Sequence, residues 1–328
     1  MPPKSPNLWG LKEIRSRLLS IGFSLNTSMN HSERIKKALL SLQGLSTGDS
    51  FGQKFFIEQN KARQLIDSRT LPDKPWFYTD DTVMAISVVE TLNKFEHIEQ
   101  DYLAQMFAQK YIEEPNRGYG SNAGKTLREI SEGVDWRQAS KIAFSGMGSM
   151  GNGGAMRAAP IGAYFFDDYE KVIYEAKASC EVTHAHPDAQ AGTIAIAIAA
   201  AYCVRQNMGL ISADEQSLLE IVIELTPQSD TRSRITRATN IPYDSRLDYV
   251  ISLLGNGSHL CSYDTVPIAL WFVAGNDNFS DALWHAVAAL GDRDTICAIV
   301  GSIMALKVTK PKLPKAWLES HEPLKLQF

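Results

Sequence analysis

Apolar positions recur along this chain at helical spacing almost from one end to the other. Ser32 reads as an N-cap ahead of Ile35, Ala38, Leu39 and Leu42, which share one face, and Gly44 then marks the predicted stop. The same periodicity predicts helices over residues 81–95, 101–112, 121–130, 155–164, 168–182, 189–206, 213–225, 243–254, 265–274, 280–290 and 294–307. The stretch Ile194-Ala195-Ile196-Ala197-Ile198 alternates like a strand, but it lies in an alanine-rich run whose propensity favours a buried helix. No regular succession of strands is visible, so the expected class is all-α. Glycines gather in residues 44–52, 116–124 and 146–154, which read as loops, as does the shorter turn at 276–278.

The first 28 residues are of a different kind, since the opening core helix begins only after Met29. Within them Trp9, Leu11, Ile14, Leu18, Leu19, Ile21 and Phe23 are interleaved with Lys12, Arg15 and Arg17, the pattern of a short amphipathic helix and an extended piece. The predicted organisation is therefore an N-terminal arm, residues 1–28, and one domain, residues 29–328. The arm either packs on its own domain or docks on another protein.

At 328 residues the chain is long enough to bury a large core. A net charge of -4 gives no basic field for a nucleic-acid backbone, so an acidic ligand has to be held locally. Cys180, Cys203, Cys261 and Cys297 are widely spaced and form no CxxC pair, and they read as reduced core residues. Met1 to Gly10 lacks an apolar core of the kind a secretory signal carries. The most apolar run, residues 193–204, is shorter than the roughly 20 residues that cross a bilayer. The expectation is a cytoplasmic protein without membrane or nucleic-acid partners.

Chemistry enters with Thr79-Asp80-Asp81-Thr82 at the start of a predicted helix. Adjacent carboxylates and a hydroxyl suit a hard divalent cation, although Asp and Thr also begin helices as ordinary caps. A second group, Gly291-Asp292-Arg293-Asp294-Thr295, again sets two carboxylates and a threonine at a helix start. Two such groups facing one another can hold a pair of metals about 3.5–4 Å apart and polarise water or a hydroxyl. Paired acidic motifs alone do not name the bond broken, and a two-metal phosphate-ester hydrolase satisfies them equally.

In the same order along the chain stand Gly48-Asp49-Ser50-Phe51-Gly52, Thr79 to Thr82, Gly118-Tyr119-Gly120-Ser121, Gly148 to Arg157, Thr183-His184-Ala185-His186-Pro187 and Gly291 to Thr295. With these six motifs the sequence resembles the ADP-ribosylglycohydrolase family, which includes dinitrogenase-reductase-activating glycohydrolases and ADP-ribosylarginine and ADP-ribosylserine hydrolases. The resemblance implies an orthogonal all-α helical bundle with a dinuclear site for two Mg²⁺, Mn²⁺ being able to substitute. It implies Thr79, Asp80, Asp81, Asp292, Asp294 and Thr295 as the metal ligands. It also implies contacts to ADP-ribose from Gly118, Tyr119, Gly120 and Ser121, from Ser149, Met150, Gly151, Asn152 and Gly153, and from His184. Backbone amides in such glycine-rich turns cradle anionic oxygens without net positive charge.

The resemblance further implies hydrolysis of ADP-ribose from modified protein side chains. Asp80 or Asp292 is the candidate to relay a proton, and Glu113 or Glu114 the candidate to hold a leaving guanidinium. Asp49 is expected near the metals or as a cap, and His186 as structural. In the serine branch an acid follows the first-loop aspartate by seven positions; here Phe56 stands there and Glu58 is the nearest acid. This departure points to the arginine branch. Some relatives resemble immunity proteins against ADP-ribosyltransferase toxins, which makes such a toxin the expected partner of residues 1–28 if the arm docks.

Overall fold

The computed structural model describes residues 29–211, 216–308 and 313–327. Readings that fall on the arm, residues 1–28, lie outside the described residues. Among those described there are sixteen α-helices and no strand, with two isolated bridges, Trp76 to His321 and Gly151 to Cys261. In chain order they are α1 (His31–Gln53), α2 (Gln59–Asp67), α3 (Asp80–Phe95), α4 (Gln100–Glu113), α5 (Ser121–Ser131), α6 (Trp136–Ile142), α7 (Ala159–Tyr164) and α8 (Tyr169–Glu181). There follow α9 (Pro187–Asn207), α10 (Leu218–Leu225), α11 (Asp230–Ala238), α12 (Leu247–Leu254), α13 (Ser262–Ala274), α14 (Phe279–Val287), α15 (Arg293–Lys307) and α16 (Lys315–Leu318). A 3₁₀ turn, Ala155–Arg157, precedes α7.

The alanine-rich segment is the helix that the propensity argument expects. Nearly all of α9 is buried, and it packs against α7, α8, α10, α13 and α15. Its composition and length would suit a membrane span, but 83% of that stretch is enclosed by the rest of the fold, as for the core helix of a soluble bundle. The cysteines are free, and Cys180, Cys203 and Cys297 are buried.

The first helix departs from expectation at both ends. Asn30, not Ser32, is its N-cap: the Asn30 side chain accepts from the Glu33 N–H at 3.0 Å and Glu33 accepts from the Asn30 N–H at 3.2 Å. The helix also runs straight through the glycines taken for a loop. Gly44, Gly48 and Gly52 are spaced by four and form one face, which lies against α15. A Cβ added to them would stand 2.3 Å from the Gly301 carbonyl oxygen, 2.0 Å from that of Cys297 and 2.3 Å from that of Arg293. Positions rise along α1 as they fall along α15, so the pair is antiparallel, and only glycine permits so close a crossing. Each helical glycine costs roughly 0.5–1 kcal/mol relative to alanine, and the extensive packing it allows offsets this.

Four helices were not anticipated: α2, α6, α11 and α16. They are short, and α2 and α11 carry few apolar residues, which leaves periodicity little to register; their polar N-caps Glu58 and Ser229 were the available signal. The helix expected over 213–225 begins only at Leu218, where Ser217 and Glu220 form a capping box that sets its start; residues 212–215 lie outside the described residues. The one expected over 243–254 begins at Leu247.

Candidate active site

Two helix N-termini converge on a buried acidic cluster. Thr79 is the N-cap of α3, so Asp80 and Asp81 occupy its first turn; Asp292 is the N-cap of α15, with Asp294 in its first turn. Backbone N–H groups at both ends favour negative charge there. Asp49 arrives from the glycine-lined part of α1, and Asp49, Asp81 and Asp294 each place an oxygen within 4.8 Å of the others.

Asp49 organises one side of this cluster. Its Oδ2 accepts from the Thr79 N–H at 2.9 Å, the Thr82 N–H at 3.1 Å and the Thr82 hydroxyl at 2.5 Å, and its Oδ1 lies 2.8 Å from Thr79 Oγ1. It thus serves as a cap for α3 supplied by another helix. Thr79 Oγ1 also lies 3.0 Å from Asp81 Oδ2, and the Thr295 hydroxyl approaches the same oxygen at 3.4 Å. Across the cluster, Asp292 Oδ2 accepts from the Asn152 amide at 2.6 Å, and that amide lies 2.9 Å from Thr265 Oγ1.

Burial pushes all these carboxyls above their ordinary range, and mutual repulsion adds to it for Asp49, Asp80, Asp81 and Asp292. Asp49 is raised to about 7, and Asp80, Asp81 and Asp292 stand well above the ordinary value. Asp294 is raised by burial against the hydrogen bonds it accepts. Asp81 Oδ1 is buried with no hydrogen-bond partner. Five carboxyls share this space, and an orphaned buried oxygen among them is costly unless a cation meets it. The donor set is all oxygen, from aspartates and threonines, which is the set hard divalent cations prefer. The residues therefore fit a metal centre.

The cluster floors a cavity of about 180 Å³. Around it stand Gly118, Gly120 and Ser121 on one side, and Ser149, Gly151, Asn152, Gly153 and His184 on the other, with Asp80, Asp81, Asp292, Asp294 and Thr295 below. Gly118 adopts the left-handed region, φ 94°, and lies beside Asp80, so the loop passes directly over the acidic motif. Gly151 and Gly153 press on the His184 ring: a Cβ on Gly153 would be 2.6 Å from its Cε1. Burial, helped by nearby Arg157, lowers the His184 pKa to about 3, so its imidazole is neutral; Nδ1 is 2.7 Å from Thr183 Oγ1. Arg157 lies wholly buried beneath this loop, and it donates to the carbonyls of Gly153 and Ser179 and to Thr183 Oγ1.

Most of the residues singled out from sequence meet at this cavity, but some do not. Tyr119 turns away and stacks edge-on against Tyr111, and Met150 is absent from the lining. Glu114 is engaged with Arg117 and Lys325, and Glu113 with Gln109; neither lines the cavity, so the expectation that they hold a leaving group is not supported. His186 is structural, its Nδ1 capping α9 through the Asp188 N–H at 3.1 Å. Met84, Asn122, Ala123, Met156 and Leu260 also line the cavity; of these only Met156 lies within a motif, Gly148 to Arg157, and none is a residue type that would mark a ligand contact.

An all-helical fold with an acidic floor beneath two glycine-rich loops is suited to a metal-dependent hydrolase, and the family match makes it a glycohydrolase: the chain belongs to the ADP-ribosylglycohydrolase family, whose model matches residues 29–326. It is 28% identical over 275 residues to ADP-ribosylhydrolase ARH3 of Homo sapiens, covering 75% of each chain. With ADP-ribosylarginine hydrolase Tri1 of Serratia proteamaculans it shares 23% identity over 298 residues, 88% of this chain and 76% of that one. Among solved structures, one titled ADP-ribosylglycohydrolase-related protein complex superposes with a TM-score of 0.62 at 22% identity, covering 89% and 94% of the two chains, which bears on the fold alone. The enzyme is thus a hydrolase of ADP-ribosyl bonds built on the helical bundle of that family.

Proposed function

We propose that this enzyme is a Mg²⁺-dependent hydrolase that releases ADP-ribose from modified arginine side chains. The observation that carries the metal reading is the partnerless Asp81 Oδ1 inside a cluster of five raised carboxyls. Two ions would be held by Thr79, Asp80, Asp81, Asp292, Asp294 and Thr295. Bound there, they would supply Lewis-acid polarisation of sugar hydroxyls and of a water.

The protein's own groups divide the remaining work. The loops at Gly118 to Ser121 and Ser149 to Gly153 cover the diphosphate and ribose, and neutral His184 backs the second loop. Asp80 and Asp292 both line the cavity, but an Asp292 carboxylate oxygen is tied to the Asn152 amide, whereas Asp80 is fixed through its backbone N–H, which donates to the Arg117 carbonyl at 2.7 Å. Asp80 is therefore the better placed of the two to accept a proton from water.

The arginine linkage rests on two supports. One is the similarity to the Serratia relative, which is named as an ADP-ribosylarginine hydrolase. The other is Phe56, which stacks beneath the Arg293 guanidinium at 4.7 Å where the serine branch has an acid, while Glu58 is occupied in capping α2. Release from a side chain other than arginine, serine among them, is the second reading, since identity to the ARH3 proteins, 28%, exceeds the 23% to the Serratia relative.

The test is release of free ADP-ribose from arginine-modified and serine-modified protein, with Mg²⁺ or EDTA, for the wild type and Asp80→Ala. Metal-dependent release from the arginine substrate, lost in the variant, is the expected result. Release from the serine substrate alone overturns the linkage. Release undiminished by EDTA overturns the metal reading.

A further inference from the structure

The C-terminal segment crosses the outside of the acidic motif and is fastened to it. Trp317 of α16 is buried against Phe51, ring centroids 4.4 Å apart, and against Trp76 at 5.8 Å. Beyond it the chain pairs with the stretch leading into Thr79: the Trp76 N–H donates to the Ser320 carbonyl at 2.8 Å and the Glu322 N–H to the Trp76 carbonyl at 2.9 Å. Farther along, the Gln327 N–H reaches buried Glu90 of α3 at 2.8 Å.

Glu322 is the point where this segment is tied to the residues that adjoin the cleft. Its Oε1 accepts from the Tyr78 N–H at 3.0 Å and from the Arg117 guanidinium, and its Oε2 lies 3.3 Å from Arg117 Nη2. Arg117 in turn donates to the Tyr78 carbonyl at 2.9 Å and to Glu114, and its guanidinium lies 4.5 Å from the Tyr78 ring centre. Both charges are mostly buried, at 16% and 14% side-chain exposure, which makes the bonds between them strong.

Each partner in this clamp is one residue from the site. Tyr78 precedes Thr79, the N-cap of α3; Arg117 precedes Gly118, which lines the cavity, and the Arg117 carbonyl accepts from the Asp80 N–H. One carboxylate therefore braces the acidic motif against the glycine loop above it, reinforcing the direct bonds from the Asp80 N–H to the Arg117 carbonyl and from Arg117 to the Tyr78 carbonyl. We infer that Glu322 is a positioning residue that, through Arg117 and the Tyr78 backbone, holds Asp80 and Gly118 in the geometry needed to bind metal and ADP-ribose. This rests on the metal reading given above.

The experiment uses the full chain and four forms: wild type, Glu322→Ala, Glu322→Gln and Arg34→Ala. The last breaks the Arg34–Asp167 pair, similarly buried at 19% and 11% exposure but with neither residue lining the cavity, and controls for loss of stability alone. Mg²⁺ binding to EDTA-treated, dialysed protein is measured by calorimetry, KM and kcat for ADP-ribose release separately, and thermal midpoint in EDTA.

Glu322→Ala should weaken Mg²⁺ binding by about 10- to 100-fold, the usual cost of losing a group that orients metal ligands. It should also raise KM, while Arg34→Ala lowers the thermal midpoint and leaves both nearly unchanged. Glu322→Gln, which keeps an acceptor for the Tyr78 N–H, should recover part of the affinity. Equal Mg²⁺ affinity in wild type and folded Glu322→Ala, or equal losses in Glu322→Ala and Arg34→Ala, overturns the inference. A wild type that binds no Mg²⁺ and works in EDTA instead refutes the metal reading beneath it.

Discussion

Gly48 of α1 lies so close to Cys297 of α15 that a Cβ on the glycine would stand 2.0 Å from the cysteine's carbonyl oxygen. This contact does more than pack two helices. Asp49 follows Gly48 and Asp294 is one turn from Cys297, so the same crossing brings an aspartate from each helix to the acidic floor.

Gly48→Ala should therefore be destabilising, against the usual rule. At an exposed helical site the change gains about 0.5–1 kcal/mol. Here a backbone carbonyl cannot rotate aside as a side chain would, and the helices have to separate. The expected loss is about 3 kcal/mol, the upper range for overpacking, read from urea unfolding. The thermal shift produced by Mg²⁺ should shrink as well. An alanine variant at least as stable as the wild type would show that the two helices do not cross as described.

The acidic floor predicts opposite pH trends with and without metal. Asp49 is raised from 3.8 to about 7 by burial and by Asp294, and its four neighbours are raised too. Between those values the folded state keeps protons that the unfolded chain has released. Without metal, stability should fall as pH rises from about 4 to about 7. Divalent ions bind the deprotonated carboxylates, so their stabilising effect should grow over the same range. Melting in EDTA and in excess Mg²⁺ across this range should give two curves that diverge as pH rises; parallel curves would remove the cluster as the metal site.

Neutralising one carboxylate should separate stability from function. Asp81 is buried, and the charges of Asp49, Asp294, Asp80 and Asp292 all oppose its ionisation. Asp81→Asn keeps the shape and removes one of those charges. The variant should melt higher than the wild type in EDTA near neutral pH and gain little from Mg²⁺. Its hydrolysis should drop by roughly 100-fold or more, the scale of losing one preorganised charged group. A variant less stable in EDTA would indicate that the Asp81 carboxylate is satisfied by the protein alone.

The helical class and the pairing of Thr79 to Thr82 with Asp292 to Thr295 were legible, because periodicity and acidic caps are local signals, and the fold brings the two motifs together. The continuation of α1 past Gly44 was not. Glycines commonly end helices, and the spacing of Gly44, Gly48 and Gly52 becomes informative only when Gly301, Cys297 and Arg293 are seen on the facing helix. Asn152 was read as a ligand contact because it sits in a glycine-rich loop; its hydrogen bond to Asp292, 140 positions away, is a tertiary fact. Glu322 has no motif at all, and only the pairing of its segment with Trp76 gives it a role.

The division of the chain at residue 28 leads to a last prediction. α1 is capped by its own Asn30 and Glu33, so the first core helix needs no upstream residue to begin. The family match likewise starts at residue 29 and runs to 326. Residues 29–328 should then fold alone, with a thermal midpoint near that of the full chain and metal-dependent hydrolysis unchanged. If the arm serves an ADP-ribosyltransferase toxin, the truncated enzyme should lose binding to it while still hydrolysing ADP-ribosylated protein. A truncated chain that aggregates or melts far lower would mean instead that the apolar positions from Trp9 to Phe23 cover the enzyme's own surface. Uncovering the apolar surface beneath them would account for such a loss.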